Sequence, residues 1–183
     1  MKLTDKVPSW LAWFLIVASP VLFIVPQIAP VRPARERARR AICTSNLKQI
    51  GLGIAQYYDD HTNQMPRMDS VQHLAADIAP YIGYSPKLFV CPSDTTTRMA
   101  TDISNVTESS YALVTNAVWQ SEPETPMIFD KFHAHGLTVL TGKNTWSPRS
   151  AHKDGGNVLW TDGHVDWNKS LDVGTNRYPV VND

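Results

Sequence analysis

ARERARRAICTSNLKQIGLGIAQYYDD, Ala34 to Asp60, decides the architecture. Cys43, Leu47, Ile50, Ile54 and Tyr57 recur at steps of four, three, four and three, which lines one face of a helix, while Lys48 and Gln56 fall on the other side. Such a stripe needs a partner surface to cover it. Gly51 and Gly53 each cost a helix about 1 kcal/mol relative to alanine, so their presence predicts close backbone packing by another element. The helix is expected over 34–60, fading between Asp59 and Asn63 before Pro66 forbids continuation.

Upstream, no residue from Val7 to Val31 is charged, and WLAWFLIVASPVLFIVPQI, Trp10 to Ile28, would span about 28 Å as a helix, the thickness of a bilayer core. Trp10 and Trp13 stand near its start, where an indole N–H reaches the headgroups, and Lys2 and Lys6 lie outside. Pro20 and Pro26 predict kinks, which membrane helices tolerate. The reading is a single-pass anchor with its flanks over 1–33, followed by one domain over 34–183. A cleaved signal peptide competes with it, but the small-residue site at Ala29 is followed at once by Pro30.

Two signals for orientation conflict. Arg32, Arg35, Arg37, Arg39 and Arg40 outnumber Lys2 and Lys6, which places the domain in the cytoplasm by the positive-inside rule. The cysteines point outward. There are two, Cys43 and Cys91, 48 positions apart and without a C-x-x-C partner. A disulfide between them would stabilise the domain by about 4 kcal/mol and would persist only in an oxidising compartment; two buried free thiols are the alternative.

Lys plus Arg and Asp plus Glu number 17 each, so no global field draws the chain to nucleic acid, and the arginine run lacks interleaved aromatics. Thirteen prolines and nine glycines, mostly beyond residue 60, predict short strands joined by turns. DSVQHLAADIAPYIG reads as a short helix capped by Asp69 or Ser70, with Val71, Leu74, Ala75 and Ile78 facing inward. SYALV (Ser110–Val114), PMIFD (Pro126–Asp130) and LTVL (Leu137–Leu140) read as strands of an antiparallel sheet. NVLWTDGHVDW places Asp162-Gly163 between two alternating runs, which predicts a hairpin over about 157–168 with a two-residue type I′ turn.

The candidates for chemistry are few. His133, His135, His152, Asp154, Asp162, His164 and Asp166 invite a metal reading, yet the chain has no H-E-x-x-H or cysteine cluster, and Asp154 and Asp162 are natural turn formers before Gly155 and Gly163. No G-x-S-x-G occurs. We therefore expect no catalytic residue, no bound metal or cofactor and no small-molecule substrate: the chain reads as a non-enzyme. His152 is expected to hold a backbone group or an aspartate such as Asp162 near the hairpin.

Three stretches carry a family resemblance. ARERARRAICTSNLKQIGLGIAQYYDDHTNQMP resembles the region after the membrane segment in type IV prepilin-like and type II secretion pseudopilin-like proteins, as does FVCPSD, Phe89–Asp94. HKDGGNVLWTDGHVDW, with His152, nine intervening residues and Asp162-Gly163, is similar to the C-terminal signature of the processing-associated His-to-Asp-Gly domain. The resemblance implies an α+β, pilin-like fold, with a long N-terminal helix packed on a small antiparallel sheet. It also implies a structural protein of the bacterial inner membrane with its domain outside the cytoplasm, whose partners are other pilin-like subunits or secretion machinery. The sequence departs from that family at TDKVPSWLAW, which has no Gly-Phe cleavage pair, and in a span without any acidic residue. That departure keeps open an anchored extracytoplasmic binding module that does not polymerise; a metal-dependent hydrolase is the third reading.

Overall fold

The computed structural model describes residues 31–120, 125–132, 139–146 and 150–181, together with Trp10, Trp13 and Phe14. Those three early aromatics are exposed. Apart from them, the anchor expected over 10–28 lies outside the described residues, as do His133 and His135. Among the described residues no helix is long and apolar enough to cross a membrane. The chain divides into two compact units, Met1–Ala38 and Arg39–Asp183.

Helix α1, Val31–Asp60, begins three residues earlier than expected. Pro33 sits in its first turn, where a missing N–H costs no intrahelical bond. Cys43, Leu47, Ile50 and Ile54 are buried to within 1 %, as the periodicity requires, and Tyr57 is half-buried. The helix stops where Thr62 and Asn63 take positive φ and the Asn63 N–H turns back to the Tyr58 carbonyl. Helix α2, Val71–Ile78, is capped by Ser70, whose hydroxyl accepts the His73 N–H, and Val71, Leu74, Ala75 and Ile78 are its buried residues.

Six strands follow: β1 Tyr111–Val114, β2 Pro126–Asp130, β3 Val139–Thr145, β4 Gly156–Trp160, β5 Val165–Asn168 and β6 Ser170–Val181. They form one antiparallel sheet in the order β3-β6-β1-β2-β4-β5, so that the last strand of the chain pairs with both β1 and β3. This is an α+β fold, a long helix on an antiparallel sheet.

The glycines of α1 are where the helix meets its neighbours. A Cβ on Gly51 would lie 2.9 Å from Leu159 Cδ1 of β4, and one on Gly53 would lie 2.7 Å from Ile82 Cγ2 after α2. The helix therefore covers the face carrying Leu159. On the opposite face Phe129, Phe132 and Trp146 pack as tilted rings, with centroids 5.1 and 4.6 Å apart along the series. With both faces covered, β1 and β2 are buried at every residue. An alternating polar face is absent from them for that reason.

The hairpin exists, but its turn corrects the type I′ expectation. The Gly163 N–H bonds the Trp160 carbonyl, the Trp160 N–H bonds the His164 carbonyl, and only Gly163 has positive φ, at 88°. Asp162 stays at negative φ, so Thr161-Asp162-Gly163 form a three-residue loop, a type I turn closed by a glycine bulge. The Asp162 carboxylate accepts the His164 N–H and thereby stabilises this form. A Cβ at Gly163 would lie 3.0 Å from Trp119 Cη2. Gly163→Val therefore combines backbone strain with a clash, and we expect it to lower stability by about 2 kcal/mol in urea unfolding.

Candidate functional site

Four segments converge beneath α1. Cys43 of the helix is joined by a disulfide to Cys91, with Cα atoms 5.3 Å apart. Cys91 is held in place locally: Cys91-Pro92-Ser93-Asp94 forms a turn closed by the Asp94 N–H on the Cys91 carbonyl, and the Cys91 N–H donates to Ser110 Oγ. The Asp94 carboxylate then accepts bonds from the N–H and hydroxyl groups of Thr96 and Thr97. FVCPSD is thus a self-bracing loop that presents one sulfur to the helix.

His152 is fully buried, its Nε2 3.4 Å from Cys91 Sγ and 3.9 Å from Asp130 Oδ2. Sequence reasoning paired it with Asp162; the aspartate at its ring is instead Asp130, the last residue of β2. Asp162 is bound to His164, Nδ1 to Oδ1 at 2.6 Å, on the exposed tip of the hairpin. Asp130 Oδ2 accepts both the backbone N–H and the side-chain amide of Asn157, while Asp130 Oδ1 is buried without a hydrogen-bond partner. Asn157 Oδ1 in turn accepts the hydroxyl of Thr44, the neighbour of Cys43 on α1.

One turn earlier on the helix, the Arg40 guanidinium lies 4.3 Å from the ring centre of Trp167 and 3.2 Å from Asp154 Oδ2. Trp167 meets the His152 ring edge-on at 5.4 Å. The run His152–Asn157 is thereby fixed to α1 through its third and last residues, Asp154 and Asn157. Asp130, Asn157, Thr44 and Arg40 were not found in the sequence. A lone aspartate closing the apolar run PMIFD was the one visible hint, since an acid there needs a buried partner.

Burial pushes the Asp130 carboxyl up to about 6, against the lowering effect of the Asn157 bonds and His152. Asp94 goes the other way. Burial acts to raise it, but the Thr97 and Thr96 bonds outweigh burial and bring it down to about 2. Between roughly pH 6 and 4 the folded protein takes up a proton at Asp130 that the unfolded chain does not, so stability from this group rises as pH falls. Below pH 4 the contribution of Asp94 is lost as pH drops toward 2. Melting temperatures of the disulfide-bonded protein across pH 3–7 should show both arms, and Asp130→Asn should abolish the rise between 6 and 4 while leaving the acid loss.

A family described as "Protein of unknown function (DUF1559)", SBP_bac_10, matches residues 32–86, which cover α1, α2 and the approach to Cys91. No curated protein and no solved structure matches the chain. The match covers less than half of the chain, and the family's description assigns it no function. The matched segment stops short of the His152 and Asp162-Gly163 positions, so that signature rests on the sequence resemblance alone.

Proposed function

We propose that this chain is a membrane-anchored, pilin-like structural protein of the bacterial envelope, which presents its α+β domain outside the cytoplasm and serves assembly or secretion rather than catalysis. The observation that carries the reading is α1 itself: a helix whose Cys43, Leu47, Ile50 and Ile54 form one buried stripe, laid on an antiparallel sheet at the end of a stretch from Val7 to Val31 without charge. The Cys43–Cys91 disulfide favours the same reading, because such bonds persist outside the reducing cytosol. The histidine and the aspartate beneath the helix brace the fold where a hydrolase would expose them, since both are at most 1 % accessible.

Within this reading, the chain is either an assembling subunit or an anchored module that does not polymerise. Cysteine-independent photocrosslinkers at the exposed helix positions Ile42 and Leu52 separate the two. Adducts with pilin-like subunits or secretion components support assembly. A ladder of self-adducts supports a filament, and the uncrosslinked monomer alone in envelope fractions supports the lone module.

A further inference from the structure

We infer that Cys43, Cys91, His152 and Asp130 form a site for one thiophilic divalent cation of the zinc class when the two cysteines are reduced. Metal and disulfide are then mutually exclusive ways of closing the same joint.

Three of the four ligand atoms are already gathered. Cys43 Sγ, Cys91 Sγ and a ring nitrogen of His152 all lie within 4.8 Å of one another. A tetrahedral zinc centre with bonds of about 2.3 Å to sulfur and 2.0 Å to nitrogen has ligand-to-ligand edges of roughly 3.5–3.8 Å. Cys91 Sγ and His152 Nε2, at 3.4 Å, are separated by close to one such edge. Asp130 lies just outside this cluster: its Oδ2, 3.9 Å from the same nitrogen, is held by Asn157, and its other oxygen, Oδ1, is buried without a hydrogen-bond partner, so Oδ1 becomes the fourth ligand by a shift of the carboxylate as the sulfurs part on reduction. The three first ligands are fully buried and Asp130 is 1 % exposed, so water is excluded as in structural metal sites.

An outer layer is present as well. Asn157 orients the Asp130 carboxylate through two bonds, and Thr44 orients Asn157, the arrangement by which metal sites fix their ligands. The spacing Cys43, Cys91, Asp130, His152 contains no short metal motif, which is why the site is invisible until the chain folds. Binding by the reduced chain forms two metal–thiolate bonds and releases two thiol protons to solvent, with no change of oxidation state. Reaching that form from the disulfide takes two electrons from a dithiol or phosphine reductant.

The test uses the full chain in detergent micelles, reduced with a phosphine and titrated first with Co²⁺ and then with Zn²⁺. We expect one Co²⁺ per chain, with the visible bands of a tetrahedral ion and a thiolate-to-metal charge-transfer band, both removed by Zn²⁺. The disulfide-bonded chain should show neither. His152→Ala and Asp130→Asn should each weaken binding by roughly 10-fold or more and shift the visible bands, while Asp162→Asn, on the exposed turn, should change nothing. If the reduced chain loses its fold without metal, recovery of its circular dichroism at one equivalent of Zn²⁺ supports the site equally. Failure of reduced protein to bind one metal per chain, absence of the charge-transfer band, or binding that survives in the Cys43→Ser/Cys91→Ser double variant overturns it. These outcomes do not depend on which compartment holds the domain.

Discussion

We expect Cys43→Ser/Cys91→Ser to lower the unfolding free energy by about 4 kcal/mol relative to the oxidised, metal-free wild type, the loop-entropy value for a closed span of 48 residues. The same bond ties α1 to the loop that leads into β1, so its loss frees the helix from the segment that carries Ser109, Ser110 and Asp94. Against a typical domain stability of about 5–15 kcal/mol, that is a large share. A urea titration of the wild type and the double variant, both in chelator, reads the shift directly, and the slope should change too if the unfolded chain expands once the link is gone. A loss below about 1 kcal/mol would mean that the helix is held mainly by its packing on Leu159 and Ile82.

Gly155→Ala should cost about 3 kcal/mol, because two independent penalties meet at one residue. Its φ of 153° lies outside the range L residues adopt readily, and a Cβ there would collide with the Asn168 carbonyl and with the Trp167 ring. Backbone on one side and an indole held by Arg40 on the other leave no easy relaxation. Gly174→Ala is the natural control: φ is 59°, yet nothing lies within 4 Å of the added methyl. The account predicts that Gly155→Ala is the more damaging of the two in denaturant midpoint. Equal losses would show that backbone strain, rather than the approach of β5, makes glycine necessary.

How much of this was legible follows from the range of the interactions. Helix α1 was readable because Cys43, Leu47, Ile50 and Ile54 report their own periodicity, and Gly51 and Gly53 announced the close approach that Leu159 and Ile82 make. Ser70, PMIFD and the hairpin were likewise local signals. The turn type was misjudged because Asp-Gly suits two loops, and the choice is made by Asp162 accepting the His164 N–H rather than by the dipeptide. Strand β6 went unseen: SLDVGTNRYPVV carries Gly174 and Pro179 and is largely exposed, and it becomes a strand by pairing with β1 and β3.

The candidate site was half legible. Cys43, Cys91 and His152 were singled out, whereas the partner of His152 was not, because Asp130 lies 22 positions before it and reaches it only through β2 pairing with β4. Long-range pairing of this kind leaves no trace in spacing. It also explains the run His152–Asn157, whose two glycines make room for Trp146 and Trp167 and whose polar ends bind Asp130 and α1.

The central claim is that the domain resides in an oxidising compartment with Cys43 and Cys91 joined. It is tested most directly by acid-quenching intact cells, denaturing the protein, and alkylating with a mass-tagged maleimide, with and without prior reduction. The account predicts no tagged species before reduction and two tags per chain after it. Two tags per chain without reduction would contradict it, returning the domain to the cytoplasmic side favoured by Arg32, Arg35, Arg37, Arg39 and Arg40.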